Sequence, residues 1–140
     1  MSALRTRLDS FLRVVELDED AAAVAHAASV RELLAARTRS DELRAELRRD
    51  GRARGPSQEW MVAELERQRL VEALVASEAK AARALAVEQE RRSELALAHQ
   101  KAESIRHAIA RLREDQIRLR DRLEVRESDE LAVLRHRRAS

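Results

Sequence analysis

The feature that most constrains the fold of this chain is one short break between two long helical stretches. Both glycines and the only proline of the 140 residues lie in segment 51–57, GRARGPS. Glycine and proline both destabilise a helix interior, so one unbroken helix is disfavoured and a turn is predicted. A turn of this length readily joins antiparallel neighbours. The sequence therefore predicts an all-α protein, a long antiparallel two-helix coiled coil (helical hairpin) with a C-terminal helix overhang.

The position of the turn also predicts the boundaries of each part. The first coiled-coil helix is expected at 3–50, the turn at 51–57 and the second helix at 58–138. Folding about residue 54 would pair residues whose numbers add up to about 108. The second helix is the longer one, so about 107–138 would overhang the hairpin.

Apolar or small residues recur every three or four positions in both stretches, which is typical of amphipathic helices. The first stripe contains Leu4, Leu8, Phe11, Val15, Ala22, Ala25, Ser29, Leu33, Ala36, Ser40, Leu43 and Leu47, and is interrupted only by Asp18. The second contains Leu74, Ala81, Leu85, Leu95, Ala98, Ala102, Ile105, Ile109, Leu112, Gln116, Leu119 and Leu123, and is interrupted by Glu88 and Arg92. An isolated helix is marginal in water unless its apolar face packs. The part of this stripe beyond the hairpin therefore predicts an external partner.

Composition narrows the class of protein. Charged residues make up 39% of the chain and aromatic residues 1%, which favours helices and coiled coils over a large globular core. The absence of cysteine, of a signal-peptide pattern and of a long apolar run leads us to expect a soluble cytoplasmic protein. The net charge of +2 is spread in alternating signs, which describes a solvated helix surface better than a nucleic-acid footprint.

The residues typical of catalytic and metal sites are scarce. Two glycines cannot build a phosphate-binding loop. The four histidines, His26, His99, His107 and His136, do not have the spacing with carboxylates that is typical of metal sites. We therefore expect no enzyme activity, no cofactor and no bound metal.

Three surface features leave two interpretations open. Trp60 either packs the turn against Leu47 or is an exposed anchor for a partner. The arginines around the turn either face solvent or meet an acidic partner; they are Arg48, Arg49, Arg52 and Arg54. A second apolar line in the first helix either widens the seam or faces another protein; it contains Val14, Leu17, Ala21, Val24 and Ala28.

Three segments, in this order, resemble the FliJ/YscO family, the soluble stalk-like component of the flagellar and virulence type III export apparatus. Segment 7–16, RLDSFLRVVE, is similar to the opening leucine-rich part of that family. Segment 55–60, GPSQEW, followed by LVEAL at 70–74, is similar to its turn and return helix. The KAE at 101–103 and the DELAVLR at 129–135 look like its final charged helix.

The resemblance implies an antiparallel coiled-coil stalk without catalytic activity. Such a stalk would bind the hexameric export ATPase, the cytoplasmic part of an export-gate membrane protein and export chaperones, and would associate with the membrane machinery only peripherally. The implied ATPase-ring contacts are Leu4, Leu8, Phe11, Ile109, Leu112, Leu119, Leu123, Asp129, Glu130 and Arg135. The implied export-gate contacts are Trp60, Leu70 and Ala73.

Two other kinds of protein would have a similar sequence. A generic self-associating coiled-coil scaffold would bury the remaining apolar stripe in a symmetric dimer. A nucleic-acid-associated coiled coil would use the basic turn and would bind DNA or RNA in a strongly salt-dependent way.

Overall fold

A computed structural model describes residues 7–49 and 57–139, and these form two α-helices. Helix α1 spans Arg7–Arg49 and helix α2 spans Ser57–Ala139. The two helices pack against each other, so the predicted all-α helical hairpin is confirmed. The expected contact residue Leu4 and the arginines Arg52 and Arg54 lie outside the described residues.

The ends of both helices carry charges that suit the helix dipole. Asp9 lies in the first turn of α1 and Glu59 in the first turn of α2. The last turns are basic, with Arg48 and Arg49 in α1, and the Arg49 Nε donates to the Ala45 carbonyl at 3.3 Å. Acids near the N-terminus and bases near the C-terminus stabilise a helix. Among the described residues, neither helix has a stretch apolar enough to cross a bilayer.

The chain divides into two compact units, and residues 20–97 make up one of them. Its seam consists mainly of small side chains, as the periodicity predicts. The buried residues on α1 are Ser29, Leu33, Ala36, Ser40 and Leu43, and those on α2 are Ser77 and Glu88. Across the seam, the hydroxyls of Ser40 and Ser77 share a hydrogen bond of 2.8 Å.

The other unit combines residues up to 19 with residues from 98 onward. Its core consists of Val15 on α1 and Ala102, Ile105 and Ile109 on α2. The half-buried Leu8 and Leu12 pack against this cluster. These residues belong to the predicted stripes, with the addition of Leu12, and their burial confirms the predicted face of each helix here.

The pairing register differs from the expected one. Ser40 faces Ser77, so the numbers of facing residues add up to 117 rather than about 108. In the other unit, Arg113 reaches Asp9, which gives 122. The reason is that the pairing is not symmetric about the turn. At the register of Ser40 and Ser77, Arg49 at the end of α1 lies beside a point of α2 that is about three helical turns after Ser57, where α2 begins. Ile109 consequently lies in the packed core and not in an overhang.

Candidate functional site

The surface that stands out is the last part of α2, residues 114–139, which we call the C-terminal arm. The described part of α1, which begins at Arg7, meets α2 just before this arm, where the Arg113 Nη2 donates to the Asp9 Oδ1 at 3.0 Å. Every described residue of the arm is exposed except Gln116, which is half-buried. The arm therefore continues α2 beyond the part that α1 covers.

The C-terminal arm carries more apolar surface than a solvated helix needs. Its large exposed apolar residues are Ile117, Leu119, Leu123, Val125, Leu131, Val133 and Leu134. Leu119 and Leu123 continue the spacing of Ile105 and Ile109, which are buried in the core. The same face of one helix is thus buried up to Ile109 and exposed at Leu112, Leu119 and Leu123. Contiguous exposed apolar residues of this kind mark interaction sites.

Charged side chains surround this apolar face. The expected contact residues Asp129, Glu130 and Arg135 are all exposed. Asp129 and Glu130 line a shallow surface groove with Val133 and Leu134. A partner would therefore meet apolar and charged groups side by side.

The expected ATPase contacts do not all lie on an accessible surface. Leu8 and Ile109 pack together in the core, so both are used for folding. Phe11 is 45% exposed, and its ring centroid lies 5.6 Å from the Lys101 Nζ, a cation–π distance. Leu112, Leu119 and Leu123 are exposed. The accessible part of the expected site is therefore Phe11 and Leu112 together with the arm.

The expected export-gate contacts separate into two kinds. Trp60 is 56% exposed, whereas Leu70 and Ala73 are half-buried. Leu47, the expected packing partner of Trp60, lies on α1 and is half-buried. Because Trp60 itself is exposed, the interpretation as an anchor for a partner is favoured over packing of the turn. The neighbours of Trp60 add to its surface, because Met61, Val62 and Leu65 are exposed as well.

The second apolar line of α1 and the described arginines near the turn are both mainly exposed. The second apolar line does not widen the seam, since Val14, Leu17 and Val24 are exposed. Around the turn, the described arginines Arg48 and Arg49 are exposed. Both features are thus available for contact with solvent or a partner.

A buried polar cluster in the seam was not predicted from the sequence. Glu88, expected as an interruption of the stripe, is 2% exposed. Its Oε1 lies 3.1 Å from the His26 Nε2 and 3.0 Å from the Arg92 Nε. The hydrogen bonds from His26 and then Arg92 lower the pKa of this carboxyl. The other helix and the next turn of α2 both supply donors to Oε1, whereas the Oε2 of Glu88 is buried without a hydrogen-bond partner among the described residues.

A similar cluster lies in the other unit. The Glu19 Oε2 lies 2.7 Å from the His99 Nδ1, and its Oε1 accepts from the Arg106 Nη2 at 3.2 Å. The hydrogen bond with His99 is the main cause that lowers the pKa of Glu19. Sequence reasoning missed both clusters, because matching each histidine with its glutamate requires the register of the two helices, and the expected register was wrong. Both clusters hold the helices together across the seam.

The residues of these clusters do not form a site for metal chemistry. Within residues 7–49 and 57–139, no three His, Cys, Asp or Glu side chains are grouped so that they could hold a metal ion. The strongest candidate site is the exposed apolar face of the C-terminal arm. No family model, curated protein or solved structure matches this chain.

Proposed function

We propose that this protein is a non-catalytic coiled-coil stalk of a flagellar or virulence type III protein export apparatus. Its C-terminal arm binds the hexameric export ATPase and promotes assembly or turnover of the ring. The observation that carries the proposal is the apolar face of α2, which is covered up to Ile109 and exposed at Leu119 and Leu123. A stalk that enters a ring needs such a helix beyond its coiled coil.

The character of the arm suits a contact that has to be released. Its leucines alternate with exposed acids and arginines, and exposed ion pairs contribute only about 0–1 kcal/mol each. A binding surface of this kind can move between several similar sites on a ring. The sequence resemblance supports the same partner, since DELAVLR at 129–135 lies in the arm.

The start of α2 is assigned to the export gate in this proposal. Trp60 and its exposed neighbours form the contact, and Leu70 and Ala73 support it from the half-buried face. Trp is among the residues that contribute most at interfaces. The protein would act in the cytoplasm, at the inner face of the membrane, and would also contact export chaperones.

The test is the activity of the cognate export ATPase titrated with the full chain. A variant with Leu119→Ser and Leu123→Ser removes the apolar face of the arm. The matched control, Leu34→Ser with Leu97→Ser, changes two exposed leucines outside the arm. We expect stimulation by the full chain and by the control, and at least a tenfold loss of apparent affinity for the arm variant, or roughly 1.4 kcal/mol.

Two results would contradict this assignment. Equal stimulation by the arm variant would exclude the arm as the ring contact. No effect of the full chain on an ATPase that forms hexamers would favour the self-associating scaffold.

The gate contact is tested separately by binding to the cytoplasmic part of the export-gate protein. Trp60→Ala should weaken binding, and Val75→Ala, another exposed apolar residue of α2, is the control. Equal affinity of both variants would remove Trp60 from the contact.

A further inference from the structure

The C-terminal arm has an order of residues that is complementary to itself. An apolar part with Leu119 and Leu123 comes first, a charged part at 126–130 follows, and an apolar part at 131–134 ends it. At 100° per residue, Leu119, Arg126, Glu127 and Leu134 all lie within about 60° of one line along the helix. Reversing the direction of the arm leaves this order unchanged.

We propose that the C-terminal arm binds the C-terminal arm of a second copy of this chain in antiparallel orientation. The dimer itself does not depend on the proposed role in export. The register follows from the charged part of the arm: placing Arg126 against Glu127 of the second copy makes the numbers of facing residues add up to 253. Residues 119–134 of the two copies then overlap over roughly 24 Å.

This register brings opposite charges together at the centre of the dimer. Arg126 faces Glu127 of the second copy, and by symmetry Glu127 faces Arg126 of the second copy. Arg122 lies within one turn of Glu130 of the second copy. All four side chains are exposed within the single chain, and opposite charges in facing positions set the register and orientation of coiled coils.

The same register covers apolar surface on both sides of the centre. Leu119 faces Leu134 of the second copy, and Val133 lies beside this pair. The symmetry makes the contact twice, once at each end of the arm. Leu119, Val133 and Leu134 are each more than half exposed in the single chain, so the dimer removes them from water.

A parallel pairing of the arms fits less well. It would bring Arg126 against Arg126 of the second copy. In a parallel pair, the α2 helices of both copies would also run side by side at Ile109. Leu8 and Leu12 of α1 already cover that face of α2, so both copies of α1 would lie between the two α2 helices. An antiparallel second copy instead continues along the line that α1 occupies and leaves α1 in place.

The dimer and the ATPase ring would use the same leucines. Leu119 faces Leu134 of the second copy in the antiparallel dimer, Leu123 lies opposite Glu130 of the second copy, and both leucines are ring contacts of the proposed function. The consequence, which rests on that function, is that the dimer is a storage form that dissociates before the ring binds. Assembly of the dimer would then lower the amount of chain available to the ATPase.

Sedimentation equilibrium of the full chain tests the dimer through a charge swap. Arg126→Glu places two carboxylates opposite each other at both symmetric contacts, and Glu127→Arg places two bases there. Each single variant should dimerise roughly 5- to 30-fold more weakly. The double variant, Arg126→Glu with Glu127→Arg, restores opposite charges and should regain the original affinity, as should a mixture of the two single variants. A monomeric full chain at high micromolar concentration, or a double variant as weak as the singles, overturns the proposal.

Disulfide cross-linking tests the orientation, since the chain has no cysteine of its own. A chain with Leu119→Cys is mixed with a chain with Leu134→Cys under mild oxidation. Antiparallel arms give the mixed disulfide in excess over the two homodimeric ones. An excess of homodimeric disulfides means parallel pairing and contradicts the proposal.

The ATPase titration separates this inference from the proposed function. Dimerisation without any stimulation of the ATPase supports the dimer and contradicts the stalk. Stimulation by a chain that stays monomeric supports the stalk and contradicts the dimer.

Discussion

Residues 98–113 and the C-terminal arm belong to one helix and share one apolar spacing, yet they differ in burial. Ile109 is 4% exposed, whereas Leu123, two heptads further along, is 51% exposed. The difference comes from α1, whose residues Leu8 and Leu12 cover the first segment and do not reach the second. Local sequence thus determines where an apolar face forms, and the residues of the other helix that pack against it determine how much of it is covered.

The largest expected difference between the two segments is the effect of removing an apolar side chain. Ile109→Ala should lower the free energy of unfolding by about 2–4 kcal/mol, because it leaves a cavity in the core. Leu123→Ala should change it by less than about 0.5 kcal/mol, since that residue is exposed in the single chain. Urea unfolding followed by circular dichroism, on protein dilute enough to be monomeric, measures both. Similar losses for the two variants would mean that the arm is packed within the single chain.

The two segments should also differ in local opening. Amides of 102–109 exchange only when α1 separates from α2, whereas a helix without a packed face frays readily. We expect exchange at 117–134 to be faster by roughly two orders of magnitude in dilute protein. Hydrogen exchange with mass spectrometry would show this, and uniform protection along α2 would contradict it.

A smaller effect is expected from acid on the packed segment. The hydrogen bond with His99, and then that with Arg106, hold the pKa of Glu19 below its ordinary value of 4.5. A lowered pKa in the folded state contributes stability above pH 4.5, and this contribution is lost as the pH falls through the folded pKa. Glu19→Gln should therefore flatten the decline of stability below pH 4.5.

The control for this experiment is Glu124→Gln, which changes an exposed carboxylate of the arm. It should leave the decline of stability in acid as it is in the original chain. Thermal unfolding between pH 3 and pH 6 is the measurement. An unchanged slope for Glu19→Gln would show that its hydrogen bonds do not contribute to stability.

The smallest difference is expected at the border between the segments. Arg113 and Asp9 form an ion pair of 3.0 Å between the helices, and both side chains are partly exposed. A double-mutant cycle with alanine should give a coupling of about 0.2–1 kcal/mol. In the arm, Arg118 and Glu114 are 3.9 Å apart on the same helix, and we expect at most about 0.3 kcal/mol. Equal coupling energies for the two pairs would mean that the ion pair between Arg113 and Asp9 does not help to hold the first turn of α1 against α2.

Periodicity predicted much of the fold, because it reports directly which face of each helix is apolar. Val15, Leu33, Ala36 and Leu43 are all buried on the predicted stripe of α1. The break at 51–57 correctly predicted two helices that fold back on each other. These features depend on local sequence and on the helical repeat alone.

The register could not be predicted in the same way. Alanine and serine form much of the seam, and small side chains fit one another at several offsets. Glu88 and Ser77 were not expected in the seam, although they occupy the intermediate steps between Leu74, Ala81 and Leu95. A strict helical spacing of three or four residues would have included both residues in the stripe. Only the structure shows that Glu88 and Ser77 pair with His26 and Ser40 of α1.

Only part of the candidate site was predicted correctly, because its position also depends on the register. Leu119 and Leu123 were expected beyond the hairpin and are exposed there, whereas Ile109 was placed there because the register was misjudged. The partner of the arm is not determined by the residues of the arm alone. Which occupant is correct depends on the dimerisation and ATPase experiments.

The seam of residues 20–97 has a mechanical consequence. Buried Ser29, Ala36 and Ser40 offer little volume to interlock with the other helix, so they resist twisting of the pair only weakly. The hydrogen bonds between Ser40 and Ser77 and between His26 and Glu88 run across the seam, and sliding one helix along the other would have to break both at once. We therefore expect these two hydrogen bonds to hold the register of this part of the molecule, where the small side chains interlock only weakly.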